Sequence, residues 1–411
     1  MILNLWRRWS RRIADPHLDS AIAVLEALQR DFSSTHPWMP VAEGGPATDD
    51  VLLREFVNEH YGDMKAIIGA NLEKEEILKT LRKEYRKRPP SRYQDVAEYR
   101  IIEALCSDID VVCQQRSIAL GKRPIFGSVQ TGRVNGMAVN INNPKYYLIL
   151  IEDGLFGFAN LFAKCIVGIF PLREERDGMQ QFSTNPEDLR RTIAADAKHS
   201  QRFLDVVAAY VVEGAPHAAK QYFMEPQYHA MQSVIRDAME LFVLGHEYGH
   251  CAAGHLEGGN KRFRSLQTAN GRKSKQLEEI VPTDWIQEFQ ADSLGLLIAL
   301  GAMHNKGIDP SLSYSGVEVV FSCINVIERA LSILQTGEIK EHLLDSHPPS
   351  LLRREVLTKT LNEILGEERA NHGRALARIT NEGIDILWKN VEPIFYRMYS
   401  DGLRPHVRWS R

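Results

Sequence analysis

The sequence predicts a predominantly helical α+β protein. Three observations carry this expectation. Long stretches place apolar residues at three- and four-residue steps. Short segments rich in β-formers cluster between Phe126 and Ile151. Helical patterning then resumes and dominates to the end of the chain.

The elements follow in order. Met1 to Ile13 sets Trp6 and Trp9 among Arg7, Arg8, Arg11 and Arg12, without the continuous apolar core of a secretory signal. It suits a surface helix docked on its own domain. Peripheral membrane contact through residues 1–13 is the alternative, but interfacial anchors need more apolar area. From about residue 17 to 118 the pattern is helical, most clearly over Val51–Ala70 and Ala97–Gln114. Gly44-Gly45-Pro46 and Arg86 to Ser91, with Pro89 and Pro90, mark loops. Phe126–Thr131, Val134–Ile141 and Tyr146–Ile151 predict a small antiparallel sheet, punctuated by Gly132 and Asn142-Asn143-Pro144, and the only β region. Gly154–Leu172 is the most lipid-like segment, but Asn160 and Lys164 interrupt it, and a central lysine costs roughly 3 kcal/mol on insertion. It is expected to be a buried core helix, and no transmembrane segment is expected anywhere. Glu257–Ile280 is polar and basic, and reads as a loop.

Composition narrows the function. A chain of 411 residues accommodates two or three domains, or one large domain with elaborations. The expected division is a helical region over 1–120, a core over 121–360 and a helical extension over 361–411 that packs on it. The net charge of −3 argues against a general polyanion binder, so no nucleic-acid partner is expected. Five cysteines, an odd number without a Cys-x-x-Cys pair, indicate reduced thiols and a cytoplasmic location. Cys251 is expected to be a buried small side chain. Oligomeric state is not encoded legibly.

The chemistry is concentrated in His246-Glu247-Tyr248-Gly249-His250, at the end of an apolar helical stretch. Two imidazoles four residues apart project from one helix face and can hold a single Zn²⁺, with Glu247 placed to act on its bound water. A metzincin would need histidine ten positions after the first; that position is Leu256, and His255 misses by one. The third ligand is therefore expected from a later helix. Trp285 to about Met303 supplies Glu288, and Asp292 one turn on can accept a hydrogen bond from a ligand histidine. Surrounding Phe289, Leu294, Leu296, Leu297 and Ile298 make that helix apolar, and buried carboxylates need partners. Tyr248 is expected to pack, and His255 to be structural.

These residues resemble the HtpX and CAAX-prenyl-endoprotease type of zinc metallopeptidase, a gluzincin group. His246 to His255 is similar to its active helix, and Glu288 to Gly295 to its Glu-x-x-Ala-Asp-x-x-Gly helix. Gly307-Ile308-Asp309-Pro310 resembles the turn that follows, and Ser346-His347-Pro348-Pro349 with Arg353 resembles a later His-Pro…Arg element. Val134 to Ala138 resembles the strand that leads to the catalytic helices. The likeness spans about residues 125–360. The family's membrane-spanning helices have no counterpart, Arg354 stands where an aliphatic residue is usual, and the region before residue 120 matches no recognised pattern. Phage-repressor-cleaving antirepressor proteases share the zinc helix but are smaller.

The resemblance implies a zincin-like catalytic core that hydrolyses peptide bonds of a protein or peptide substrate. Zn²⁺ is then held by His246, His250 and Glu288, Glu247 is the general base, and His347 or Arg353 stabilises the oxyanion. A catalytically silent zinc-containing regulatory or scaffold protein, working through its helical N-terminal region, is the alternative. Against it, a structural zinc needs no general base and normally has four protein ligands.

Overall fold

The computed structural model describes residues 15–34, 53–55, 57–58, 61–62, 64–65, 73–85, 89–174, 180–257, 262–267, 273–281, 285–340 and 348–409. Helix dominates them, as expected of a predominantly helical α+β chain. Helices α1 (Pro16–Ser34), α2 (Lys74–Tyr85) and α3 (Val96–Gln115) come first. Asp95 starts α3 by accepting a hydrogen bond from the Glu98 N–H at 2.9 Å. Described residues between 53 and 65 are helical, while the rest of the expected Val51–Ala70 helix lies outside the described residues, as do residues 1–13 and Gly44-Gly45-Pro46.

Strands β1 (Arg123–Val129), β2 (Gly136–Val139) and β3 (Tyr146–Glu152) form one sheet in the order β1-β3-β2. The expected antiparallel sheet is therefore corrected to a mixed one: β2 runs antiparallel to β3, but β1 runs parallel to it. The physical reason lies in β3. Leu148 and Leu150 pack under Leu25, Leu28 and Phe32 of α1, while Tyr147, Ile149 and Ile151 join the helical core on the opposite face. A strand apolar on both faces belongs in the middle of a covered sheet. The turn at Asn142-Asn143-Pro144 does join antiparallel neighbours: Asn143 Oδ1 accepts from the backbone N–H groups of Lys145 and Tyr146. The segment through Gly132 instead carries the chain from one edge of the sheet to the other.

Helix α4 (Gly154–Val167) follows β3 directly and is buried, as the apolar run implied. Burial pushes the Lys164 ammonium down to about 8, and it donates to the Tyr222 carbonyl at 2.6 Å. Two expectations about β structure are corrected. Short strands β4 (Leu172–Glu174) and β5 (Gln180–Phe182) pair before α5 (Pro186–Ala195) and α6 (Lys198–Ala208). After α7 (His229–Ala252), the stretch expected to be a basic loop contains β6 (Arg262–Gln267) and β7 (Lys273–Val281), paired antiparallel. Polarity alone does not forbid a hairpin whose backbone groups satisfy one another.

Four helices complete the chain: α8 (Trp285–Asn305), α9 (Pro310–Thr336), α10 (Ser350–Leu365) and α11 (Glu367–Ser400). Asp309 caps α9 by accepting from Ser311 N–H at 2.8 Å, with Pro310 at the first helical position. Long α11 lies along α9. Ile384, Leu387, Trp388, Val391 and Phe395 of α11 close a core shared with α4, α6 and α9. Helix α7 runs through the centre, against α8, α9, α4, α3 and β2. Among the described residues no helix is long and apolar enough to cross a membrane.

A buried polar network ties α1 to the sheet. Gln29 Nε2 donates to Gln94 Oε1 and the Ser128 carbonyl at 2.9 and 2.7 Å, Gln94 Nε2 donates to Ser128 Oγ at 2.6 Å, and Ser128 Oγ donates to Glu98. Burial pushes the Glu98 carboxyl up to about 8, against the Ser128 hydrogen bond and with help from Asp95 and Asp153. A carboxyl whose folded pKa lies above its unfolded value of about 4.3 binds its proton more tightly when folded. Its stabilising contribution is full below the unfolded pKa and disappears as pH rises through about 8. Glu98→Gln should therefore flatten the fall in melting temperature between about pH 5 and 8. Parallel profiles for the two proteins would contradict this.

Candidate metal centre

The site is built where α7 crosses α8. Small residues line both helices at the crossing: Gly245 and Gly249 on α7, Ala291 and Gly295 on α8. A Cβ added to Gly249 would lie 2.8 Å from the Ala291 carbonyl oxygen, and one on Gly295 would lie 2.9 Å from the His246 nitrogen. These are backbone atoms and cannot swing aside. Interaxial distance is set by the side chains at the contact, so the glycines let the two backbones touch. A third close approach joins α7 to α9 about two turns earlier, where a Cβ on Gly316 would meet the Ala238 Cβ at 2.6 Å.

That proximity brings one face of each helix together. His246 Nε2 lies 3.6 Å from Glu288 Oε2, His250 Nε2 lies 3.5 Å from Glu288 Oε1, and the two Nε2 atoms lie 3.1 Å apart. Two donors held about 2.0–2.1 Å from one ion at the tetrahedral angle would be about 3.3 Å apart. The three separations fall around that value. All three side chains are buried, Glu288 to 1 % exposure. This group can hold a metal ion, and among the described residues it has three members.

The donor chemistry fits a cation as well as the geometry does. His246 Nδ1 lies 2.9 Å from Asp292 Oδ1, so it carries the proton and donates it there. A neutral imidazole has only one N–H, which leaves His246 Nε2 with a lone pair directed at the site. Asp292 is fully buried. Arg353 donates to both of its oxygens, Nε to Oδ2 at 2.7 Å and Nη2 to Oδ1 at 2.6 Å. Burial raises the Asp292 carboxyl pKa, but the Arg353 charge and hydrogen bonds and those of His246 outweigh it and hold it low. The guanidinium also lies over the Phe321 ring at 5.1 Å. Arg353, Asp292 and His246 thus form a buried column ending at the group that can hold a metal ion.

The other residues singled out from sequence are also placed. Glu247 is buried beneath β2: a Cβ on Gly136 would lie 3.1 Å from Glu247 Cγ and 3.4 Å from its Oε1. Strand β2 is an outer strand of its sheet, and β7 passes near it without pairing to it. Arg353 turns two donors to Asp292, which makes it a counter-ion behind His246. His347 lies outside the described residues. Tyr248 is buried in the core shared with α3. Cys251 is buried, and burial pushes its thiol pKa up, away from nucleophilic use.

Sequence reasoning missed the crossing glycines and Gln290. The signal was present as two four-residue spacings of small residues, Gly245/Gly249 and Ala291/Gly295, in the helices that carry the ligands. Gln290 follows from the position of Glu288 two residues earlier on α8; its Oε1 lies 2.9 Å from His255 Nε2.

Comparisons with protein-family models, curated proteins and solved structures match nothing to this chain.

Two outcomes are expected. Gly249→Val should force α7 from α8, at a cost of at least about 1–3 kcal/mol, and reduce metal retention; unchanged stability with full metal content would show that the crossing can widen freely. Arg353→Met leaves the Asp292 carboxylate buried without its counter-ion and should lower unfolding free energy by about 3–5 kcal/mol. A change of under about 1 kcal/mol in denaturant titration would mean that the carboxylate is solvated.

Proposed function

We propose that the protein is a zinc-dependent endopeptidase of the gluzincin kind. One observation carries the reading: a buried group of two imidazoles and one carboxylate, three donors among the described residues, with Glu247 next to His246 on the same helix. Three protein ligands are the pattern of a catalytic zinc, whereas structural sites are closed by four. Two nitrogens and an oxygen in a dry, preorganised setting suit Zn²⁺. The resemblance of the His246–His255 and Glu288–Gly295 stretches to the HtpX-type metallopeptidases points the same way.

A bound zinc ion would polarise the scissile carbonyl and lower the pKa of a coordinated water towards about 7. The chain's own residues do the rest. Glu247 takes a proton from the attacking water as its oxygen bonds to the carbonyl carbon, and returns that proton to the amine nitrogen as the C–N bond breaks. Burial of Glu247 strengthens its interaction with both partners. Asp292 and Arg353 keep His246 in the tautomer whose Nε2 is bare.

Strand β2 orients the substrate in this reading. One of its edges pairs with β3, and its Gly136 sits directly against Glu247. An extended peptide added along the outer edge would bring its backbone past the carboxylate. The absent side chain at Gly136 lets Glu247 lie directly against the strand. His347, through the resemblance alone, is the candidate oxyanion donor.

The test uses a single substitution. Glu247→Gln should retain about one zinc per chain while peptide cleavage falls by at least about 10²-fold. Undiminished proteolysis with metal retained would refute Glu247 as the base. Wild-type protein purified without any bound divalent metal would refute the zinc reading as a whole. Trapping with Glu247→Gln in the native host, followed by mass spectrometry of the captured chains, would then identify the substrate.

A further inference from the structure

Helix α7 ends two residues past His250, and the way it ends places another histidine. Ala253 is the last residue in helical conformation, and Gly254 follows with φ of +70°. Gly254 N–H donates to the Cys251 carbonyl at 3.4 Å, and His255 N–H donates to the His250 carbonyl at 3.1 Å. These two bonds define a Schellman ending, in which the second residue beyond the cap lies over the third residue before it. The pair brought together here is His255 and His250. In most helices that contact is apolar; here it joins two imidazoles, with Nδ1 to Nδ1 at 3.0 Å.

The protons on this pair can be assigned from the far end. Gln290 Oε1 is an acceptor, and His255 Nε2 lies 2.9 Å from it, so the His255 proton is on Nε2. His255 Nδ1 then presents a lone pair. It can only accept, so His250 Nδ1 carries the proton that joins the rings. His250 Nε2 is thereby bare, on the side where His246 Nε2 and Glu288 lie. Both imidazoles of the motif therefore face the site through Nε2, by different means. His246 is set by an ionic pair, Asp292 with Arg353, and His250 by a neutral one, His255 with Gln290. Gln290 lies two residues from Glu288, so α8 supplies the third donor and also the group that sets the tautomer of the second.

We propose that His255 is a positioning residue that holds His250 as an Nε2 ligand, in the tautomer that Gln290 imposes through it. The proposal deepens the metal-site reading and rests on it. His255 is not a ligand: its Nδ1 faces His250 Nδ1, and its Nε2 faces Gln290. Its effect is on how long and in what geometry the ion stays. Removing such an outer partner typically costs about 10–100-fold in metal affinity.

The experiment measures metal release from the full-length protein, loaded with Zn²⁺ and then challenged with a chromogenic chelator. The visible absorption of the Co²⁺-loaded protein reports coordination geometry in parallel. His255→Ala should release Zn²⁺ about 10–100-fold faster than wild type and change the Co²⁺ spectrum. His255→Asn, whose amide oxygen can stand where Nδ1 stood, should return release to within about threefold of wild type. Gln290→Met, which leaves every imidazole in place, should also accelerate release. Equal rates and spectra for wild type, His255→Ala and Gln290→Met would overturn the proposal. So would an Asn variant as leaky as the Ala variant, since that would mean packing and not hydrogen bonding. His250→Ala separates the two ideas: if wild type binds no metal, or His250→Ala binds it equally well, the metal site itself is wrong. If those controls behave and His255→Ala is unchanged, only the role of His255 fails.

Discussion

The close contact of two helix backbones is the constraint on which the rest depends. Gly245 and Gly249 of α7 lie directly against the backbone of Gly295 and Ala291 of α8. A carboxylate is a short ligand, and Glu288 reaches both imidazoles only because its helix axis is drawn in. The same contact brings Asp292 within 2.9 Å of His246 and Gln290 within 2.9 Å of His255. Gly316 of α9 fits as closely against α7 at Ala238 and Ile235, about two turns earlier on the helix. Close packing at both crossings converts a sequence motif into fixed geometry.

Such a site concentrates polar groups where burial makes each one costly. The molecule offsets that cost by pairing. Asp292 has both oxygens occupied by Arg353 and one shared with His246, and His255 bridges His250 and Gln290. Once the outer nitrogens are committed in this way, the two Nε2 atoms, 3.1 Å apart, oppose lone pair to lone pair beside a carboxylate. That arrangement is repulsive without a positive charge among the three atoms. The local electrostatics and the local packing are therefore both compatible with a metal ion held there. Above it, β2 leaves Glu247 covered by a residue with no side chain.

Much of this was legible in the sequence because helical periodicity is local. The spacing of His246 and His250 dictates a shared face, and the apolar surroundings of Glu288 and Asp292 required partners for them. The buried character of Gly154–Val167 followed from its composition. Long-range relations were less legible. The parallel pairing of β1 with β3 depends on α1 covering the far face of the sheet, a contact more than a hundred residues distant in sequence. The hairpin of β6 and β7 is polar, and hydropathy gave no sign of it. The pairing of Arg353 with Asp292 is another such relation, since the two lie 61 residues apart. The role of His255 required a helix-ending pattern, Gly254 followed by histidine, to be read as a contact with His250.

The central claim is that two imidazoles and one carboxylate of this chain hold a single ion with a coordination position left over. X-ray absorption at the zinc edge of the purified full-length protein tests it most directly. The account predicts a shell of nitrogen and oxygen atoms at about 2.0–2.1 Å, with outer-shell scattering from two imidazole rings and at least one oxygen that the protein does not supply. A sulfur scatterer at about 2.3 Å, or a third imidazole completing four protein donors, would contradict it.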